Sequence, residues 1–207
     1  MLTNKTLAAG LVELSETDQH LAAVLDEHGP PPLWGRRPGF PTLVQIILEQ
    51  QVSLASAKAA FTKLEWALGE VTPEGLLGLG DDEMKALGFS RQKARYCREL
   101  ARAIVAGRFD IAGLSRLPDG EAKEVLMSQV GIGRWTADIY LLMALRRPDV
   151  WPKGDLALAK AAQQVKQLED RPDQDRLEAL ADSWRPWRAV AARVLWHHYL
   201  SNGRSGQ

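Results

Sequence analysis

Apolar residues recur at three- and four-residue spacings along most of the chain, a period that predicts helices over 7–27, 41–51, 54–68, 91–106 and 121–129. The same period continues over 135–146, 155–168, 174–184 and 186–199. Start signals agree with it. Ser53, the Thr72-Pro73-Glu74 run, Ser90 and Asp119 offer side-chain oxygens that can cap the first turn, and Pro73 and Pro186 suit first-turn positions. No run alternates apolar and polar positions as a half-buried strand would, so the expected fold is all-α. Two Pro/Gly-rich stretches, HGPPPLWGRRPGFP from His28 and RPDVWPKG from Arg147, divide the chain into three pieces, and no internal repeat is visible.

Composition narrows the class. A chain of 207 residues with 45% apolar content can build a sizeable core without covalent staples. Its single cysteine, Cys97, excludes an internal disulfide and any four-cysteine zinc or iron-sulfur site, and is expected to be a small buried residue on an amphipathic helix. The N-terminal MLTNKTLAAGLVELSETDQH has neither the apolar core of a secretory signal nor the length of a membrane span, so a soluble, cytoplasmic protein with no membrane partner is expected, and a monomer is expected besides. Charge is balanced at 26 basic and 26 acidic residues, which gives no bulk support to a polyanionic partner. The distribution is uneven, however: Arg91, Lys93, Arg95, Arg98 and Arg102 crowd one predicted helix, either as a local positive face or as an ordinary solvated surface.

Candidate chemistry concentrates at GIGRWTA, residues 131 to 137, where one predicted helix ends and the next begins. Glycine reaches positive φ and lets another molecule approach the main chain, so Gly131-x-Gly133 is either a tight corner or a backbone-built binding site. The start of the following helix would point N–H groups and a positive dipole end outward, enough to hold a phosphodiester without basic side chains. Main-chain carbonyls near Gln129 and Val130 could share Na+ or K+ with the same phosphate, the only cofactor expected.

QVGIGRWTA resembles the hairpin of the helix-hairpin-helix DNA glycosylases, whose usual form is close to LPGIGxxTA, and Asp155 in PKGDLALAK lies where that superfamily carries its catalytic aspartate. LVQIILEQQVSLASA from Leu43, GFSRQKA from Gly88 and WRPWRAVAARVLW from Trp184 extend the likeness to the 3-methyladenine DNA glycosylase II (AlkA) type, over about residues 29–199. The resemblance implies a two-lobed helical fold with the active site in the cleft between lobes: a middle lobe over 39–147 and a second lobe of 1–38 with 148–207. It also implies the compact form, without the β-rich domain that precedes the fold in larger bacterial members. The implied activity is monofunctional excision of alkylated purines, 3-methyladenine and 7-methylguanine first, from double-stranded DNA in base excision repair, with action on the nucleoid.

Residue by residue, the resemblance assigns Asp155 as the catalytic carboxylate, beside its plain reading as a helix N-cap. Such a carboxylate would stabilise an oxocarbenium-like sugar or orient a water. Trp135 stands where lyase relatives carry a Schiff-base lysine, and an indole forms no imine, so no AP lyase step is expected. Trp135 and Trp196 match aromatic residues of the family's base pocket, and Trp34 could line its entrance; Trp66, Trp151, Trp184 and Trp187 are expected in the core. Gly131, Gly133, Arg134 and Thr136 form the DNA-binding hairpin. Gln50, Gln51 and Ser53 lie at a helix junction, where Gln51 aligns with the residue that wedges into DNA; both glutamines could equally be an exposed polar helix end. Arg91 and Lys93 could add phosphate contacts, and His28 could reach toward a groove, whereas His197 and His198 look like a helix end rather than a metal site. Three rivals remain, of which two are a non-catalytic DNA-binding module and a glycosylase for oxidised or deaminated bases. A third is an all-α protein-interaction domain in which GIGRW is only a corner.

Overall fold

The computed structural model describes residues 1–204, and among these it is helical throughout, with no strand. Twelve α-helices are described: α1 (Asn4–Thr17), α2 (Gln19–His28), α3 (Phe40–Glu49), α4 (Leu54–Leu68), α5 (Pro73–Leu77), α6 (Asp81–Ala86), α7 (Arg91–Val105), α8 (Asp119–Met127), α9 (Arg134–Met143), α10 (Leu156–Val165), α11 (Gln174–Asp182) and α12 (Arg188–Arg204), with a 3-10 turn at Gly113–Arg116. They form two compact units, Arg36–Ala144 and Met1–Gly35 with Leu145–Gln207.

The unit Arg36–Ala144 is built around α3. Phe40, Thr42, Leu43, Val44, Ile46, Ile47 and Leu48 are all buried, the pattern of a helix enclosed on most sides, and α4, α7 and α9 pack against it. In the other unit α12 has the central place. Residues Ala189 to Trp196 are buried without interruption, and α1, α2, α10 and α11 surround them.

Several expected boundaries move for identifiable reasons. The apolar period that suggests one helix over 7–27 spans a break at Asp18, whose Oδ1 accepts the N–H groups of His20 (3.1 Å) and Leu21 (3.3 Å) and so starts α2. Ser53, Thr72 and Ser90 do cap α4, α5 and α7. Asp119 is instead the first residue of α8, after Pro118, and Pro186 precedes α12 rather than opening it. The short helices α5 and α6 and the 3-10 turn are too brief to show a period.

Asp18 does more than cap α2. Its Oδ2 also accepts Lys166 Nζ at 2.5 Å and the indole N–H of the buried Trp184 at 2.7 Å. Burial raises the pKa of this carboxyl, but the hydrogen bonds from Lys166 and Trp184, the Lys166 charge and the Leu21 N–H outweigh it and leave the group below its ordinary value. The lowered folded pKa makes this contribution present above the unfolded value, near 4, and lost as pH falls through the folded one. Asp18→Asn keeps a competent cap but strands Lys166, and is expected to lose about 3 kcal/mol at neutral pH. Urea denaturation from pH 3 to 7 should show the gap between variant and wild type closing as the medium is acidified.

Candidate functional site

The hairpin lies in the unit Arg36–Ala144. α8 ends at Met127, and Ile132 N–H bonds back to Gln129 C=O at 3.1 Å. Gly131 then takes φ +85, and α9 begins after Gly133. The first main-chain bond of α9 is Ala137 N–H to Gly133 C=O at 3.0 Å, and no side chain caps this N-terminus. The two glycines differ in what they permit. A Cβ at Gly131 would run into the ring of Tyr96 from α7, whereas nothing lies within 4 Å of the place a Cβ would take at exposed Gly133. Gly131 is therefore required by positive φ and close packing, and Gly133 by neither.

Behind the turn, Asp138 of α9 is fully buried, with Lys123 Nζ of α8 at 2.5 Å and Arg134 Nε at 3.8 Å, so an ion pair joins the two helices of the hairpin. Gln50, the residue after α3, reaches across from the α3–α4 junction. Its Nε2 donates to Gly131 C=O at 3.0 Å and to Thr136 Oγ1 at 2.9 Å. Lys93 Nζ donates to Leu48 C=O at 2.6 Å in the last turn of α3, and burial lowers its pKa.

Three residues expected at the DNA surface are thereby corrected. The Gln50 amide is turned inward rather than exposed, the Thr136 side chain is buried, and the Lys93 ammonium caps a helix end. Gln51, Ser53, Arg91, Gly133 and Arg134 are exposed, and Trp135 is half-buried in the first turn of α9. Gln51 has φ +57, a left-handed conformation unusual for a residue with a side chain, at the tip of the α3–α4 turn. The basic face of α7 is also smaller than its composition suggests. Arg98 pairs with Asp81 and with Leu79 C=O, and Arg102 pairs with Glu99, leaving Arg91 and Arg95 without an ion pair among the described residues. Cys97 is buried, and burial pushes its thiol up to about 12, consistent with an inert core residue.

In the other unit, Gly154 at φ +87 leads into Asp155, the N-cap of α10. Asp155 Oδ1 accepts Leu158 N–H at 2.9 Å and stands 3.4 Å from the indole Nε1 of Trp196. Lys153, two residues earlier, bonds to Asp175 (2.9 Å) and Glu178 (2.6 Å) of α11 and ties down the loop. Trp34, at φ +46, lies edge-on to the ring of His197, with centroids 6.2 Å apart. His28 does not extend outward, since its ring lies against those of His197 and His198. No group of three or more His, Cys, Asp or Glu side chains among the described residues is placed to hold a metal ion. Trp151 and Trp184 are buried against one another. Trp66, expected in the core, is 87% exposed on α4.

A tightly held Gly-x-Gly hairpin opening a helix, and an aspartate N-cap engaged by a tryptophan, are the features that comparison with known proteins can test. The model of the HhH-GPD superfamily of base excision DNA repair proteins matches residues 44–186. The chain belongs to that superfamily. Among relatives of the HhH-GPD chain, YfjP of Bacillus subtilis is 29% identical over 184 residues, an alignment covering 85% of this chain and 64% of YfjP. DNA-3-methyladenine glycosylase 1 of Schizosaccharomyces pombe is 26% identical over 187 residues, covering 88% of this chain and 82% of the relative. The solved structure of the S. pombe 3-methyladenine DNA glycosylase Mag1 in complex with abasic DNA superposes with a TM-score of 0.77 at 26% identity, covering 91% of this chain and 95% of that one.

The Gln50 tether, the Tyr96 contact and the Lys123–Asp138 pair escape the sequence reading. One signal was available for the last: Asp138 is a lone acid in the otherwise apolar run ADIYLLMAL. The glycine asymmetry can be measured. Gly131→Ala is expected to cost about 2 kcal/mol or more, from the left-handed backbone and the clash with Tyr96, whereas Gly133→Ala should stay within about 1 kcal/mol of wild type. Urea titrations of the two variants provide the comparison.

Proposed function

We propose that this HhH-GPD protein is a monofunctional DNA glycosylase that releases alkylated purines, 3-methyladenine and 7-methylguanine first, by hydrolysis of the N-glycosidic bond. The observation that carries the reading is Asp155, held as a helix N-cap with the Trp196 indole N–H at its carboxylate. The names of the relatives support the substrate class. Alkylation leaves the purine cationic, so the base departs with the C1′–N bonding pair as a neutral molecule and needs no strong general acid. The sugar becomes oxocarbenium-like, and water adds its oxygen to C1′ and gives up a proton. A carboxylate at Asp155 would stabilise the cationic sugar or accept that proton. Trp196 and Trp34, in the same unit as Asp155, supply aromatic faces for an electron-poor base turned out of the stack.

In the same reading, the main-chain N–H groups about Gly133 and the start of α9 receive a DNA phosphate, with Arg134 and Arg91 adding charge. Gln129 C=O already accepts Ile132 N–H and keeps a second lone pair, so Gln129 and Val130 fit Na+ or K+ held against that phosphate. The wedge falls to Gln51, exposed at its left-handed turn. Trp135 in place of a lysine favours hydrolysis without strand cleavage.

Asparagine caps a helix as well as aspartate does, so Asp155→Asn should retain the fold and the binding of duplex DNA with an abasic analogue. Its release of methylated purine should fall at least about a hundredfold. Near-wild-type release would overturn the assignment. Borohydride added to the reacting wild type should trap no covalent protein–DNA adduct, whereas a trapped adduct would establish a lyase. Gly133→Ala should weaken duplex binding about tenfold while its stability stays within about 1 kcal/mol of wild type, because its methyl group would stand where a phosphate approaches the main chain.

A further inference from the structure

Two elements of the unit Arg36–Ala144 would have to act on one DNA molecule at once: the hairpin, which grips a phosphate, and the α3–α4 turn, which carries Gln51. Their relative placement is not fixed by chain connectivity, since some eighty residues separate Gln50 from Gly131. Packing of α7 and α9 against α3 sets it broadly, and one side chain joins the two turns directly. Both hydrogens of the Gln50 amide are engaged by hairpin atoms, one by Gly131 C=O at 3.0 Å and one by Thr136 Oγ1 at 2.9 Å. The carbonyl decides which way the amide faces, because it accepts only from a donor and would repel Oε1. The side-chain N–H groups of Gln50 are therefore spent inside the protein, and a glutamine N–H donor for DNA at this turn would come from its neighbour Gln51.

The surroundings make this contact a coupling rather than a general support. The hairpin is braced separately by the Lys123–Asp138 pair and by Tyr96 against Gly131. The end of α3 is braced by Lys93 on Leu48 C=O, from the same helix α7 that carries Tyr96. Each element thus has supports besides Gln50, and Gln50 is the side chain that adds a direct tie between them.

We infer that Gln50 is a positioning residue that ties the phosphate-gripping hairpin to the turn bearing Gln51, and so sets the preference for lesion-bearing over undamaged DNA. The inference rests on the glycosylase reading above, which the first measurement checks by itself. Wild-type protein should bind a duplex with a tetrahydrofuran abasic analogue more tightly than the matched undamaged duplex. Absence of that preference would defeat the glycosylase reading, and this inference with it.

Given the preference, Gln50→Met, neutral and of similar length but without a donor, should lower the affinity ratio of the two duplexes about tenfold, while affinity for undamaged duplex changes less than about twofold. Thr136→Val, which removes one of the two acceptors, should lower the ratio about threefold, and Thr136→Ser should restore it. The double variant Gln50→Met/Thr136→Val should lose no more than Gln50→Met alone, since both changes break one contact. Thermal melts establish that each protein is folded, and Thr136→Val serves as the independent test if Gln50→Met does not fold. An unchanged ratio in the folded variants, equal weakening on both duplexes, or losses that multiply in the double variant would each overturn the inference.

Discussion

A turn proposed to offer main-chain N–H groups to an anion can spend few of them on itself, here Ile132 N–H on Gln129 C=O, so its rigidity comes largely from its carbonyls, from packing behind it and from the helices on either side. All three supports are present at residues 130–133. The Gly131 carbonyl is held by Gln50, the Gly131 Cα sits against Tyr96, and α8 and α9 are joined through Lys123 and Asp138. Each support leads back to α3. Gln50 directly follows that helix, and Tyr96 lies on α7, which packs against α3 and caps its end through Lys93. The burial of one strongly apolar helix is thus the reference from which the outward-facing turn is located.

In the other unit α12 has the comparable role. Arg193 is fully buried, and its guanidinium donates to Ala189 C=O within the helix and to Leu33 C=O in the proline-rich loop, which places Trp34 near His197. Burial lowers its pKa to about 10, still high enough for the side chain to remain charged and keep all its donors at neutral pH. One residue-turn further along, the same helix presents Trp196 to Asp155. The helix therefore organises the carboxylate and two of the aromatic residues through contacts that also belong to its core. The N-cap role of Asp155 is compatible with the proposed catalytic one, because capping holds its side chain in one direction.

The legible parts of the fold were those where local chemistry acts alone. Ser53, Thr72 and Ser90 cap helices because a hydroxyl needs only the next few N–H groups, and the all-helical character follows from a period repeated over the whole chain. Asp18 was hidden because apolar spacing continues through the break it causes. Gln50, Lys93 and Thr136 look like surface residues because each is polar and close to a turn, yet what decides their direction is an acceptor distant in sequence or packing against other helices. Trp66 shows the converse error: an indole on a helix with small neighbours was assigned to the core by type, and α4 buries Ala57, Ala60 and Leu64 on a different face.

The balanced charge of the chain takes on a more definite meaning in this light. Many of the cations in the unit Arg36–Ala144 are committed internally: Arg36 to Glu49, Lys93 to Leu48 C=O, Arg98 to Asp81, Arg102 to Glu99 and Lys123 to Asp138. A DNA partner would therefore meet main-chain dipoles with fewer available cations than the composition suggests, among them the exposed Arg91, Lys58 and Lys63. Each contact from a cation releases a counterion and is sensitive to salt, whereas a main-chain N–H contributes direction and hydrogen bonding with little of that long-range attraction. Such a surface draws DNA weakly from a distance and depends on fit at contact. Under the proposed reading, that dependence gives the geometry between the hairpin and the α3–α4 turn more weight than the number of positive charges on either.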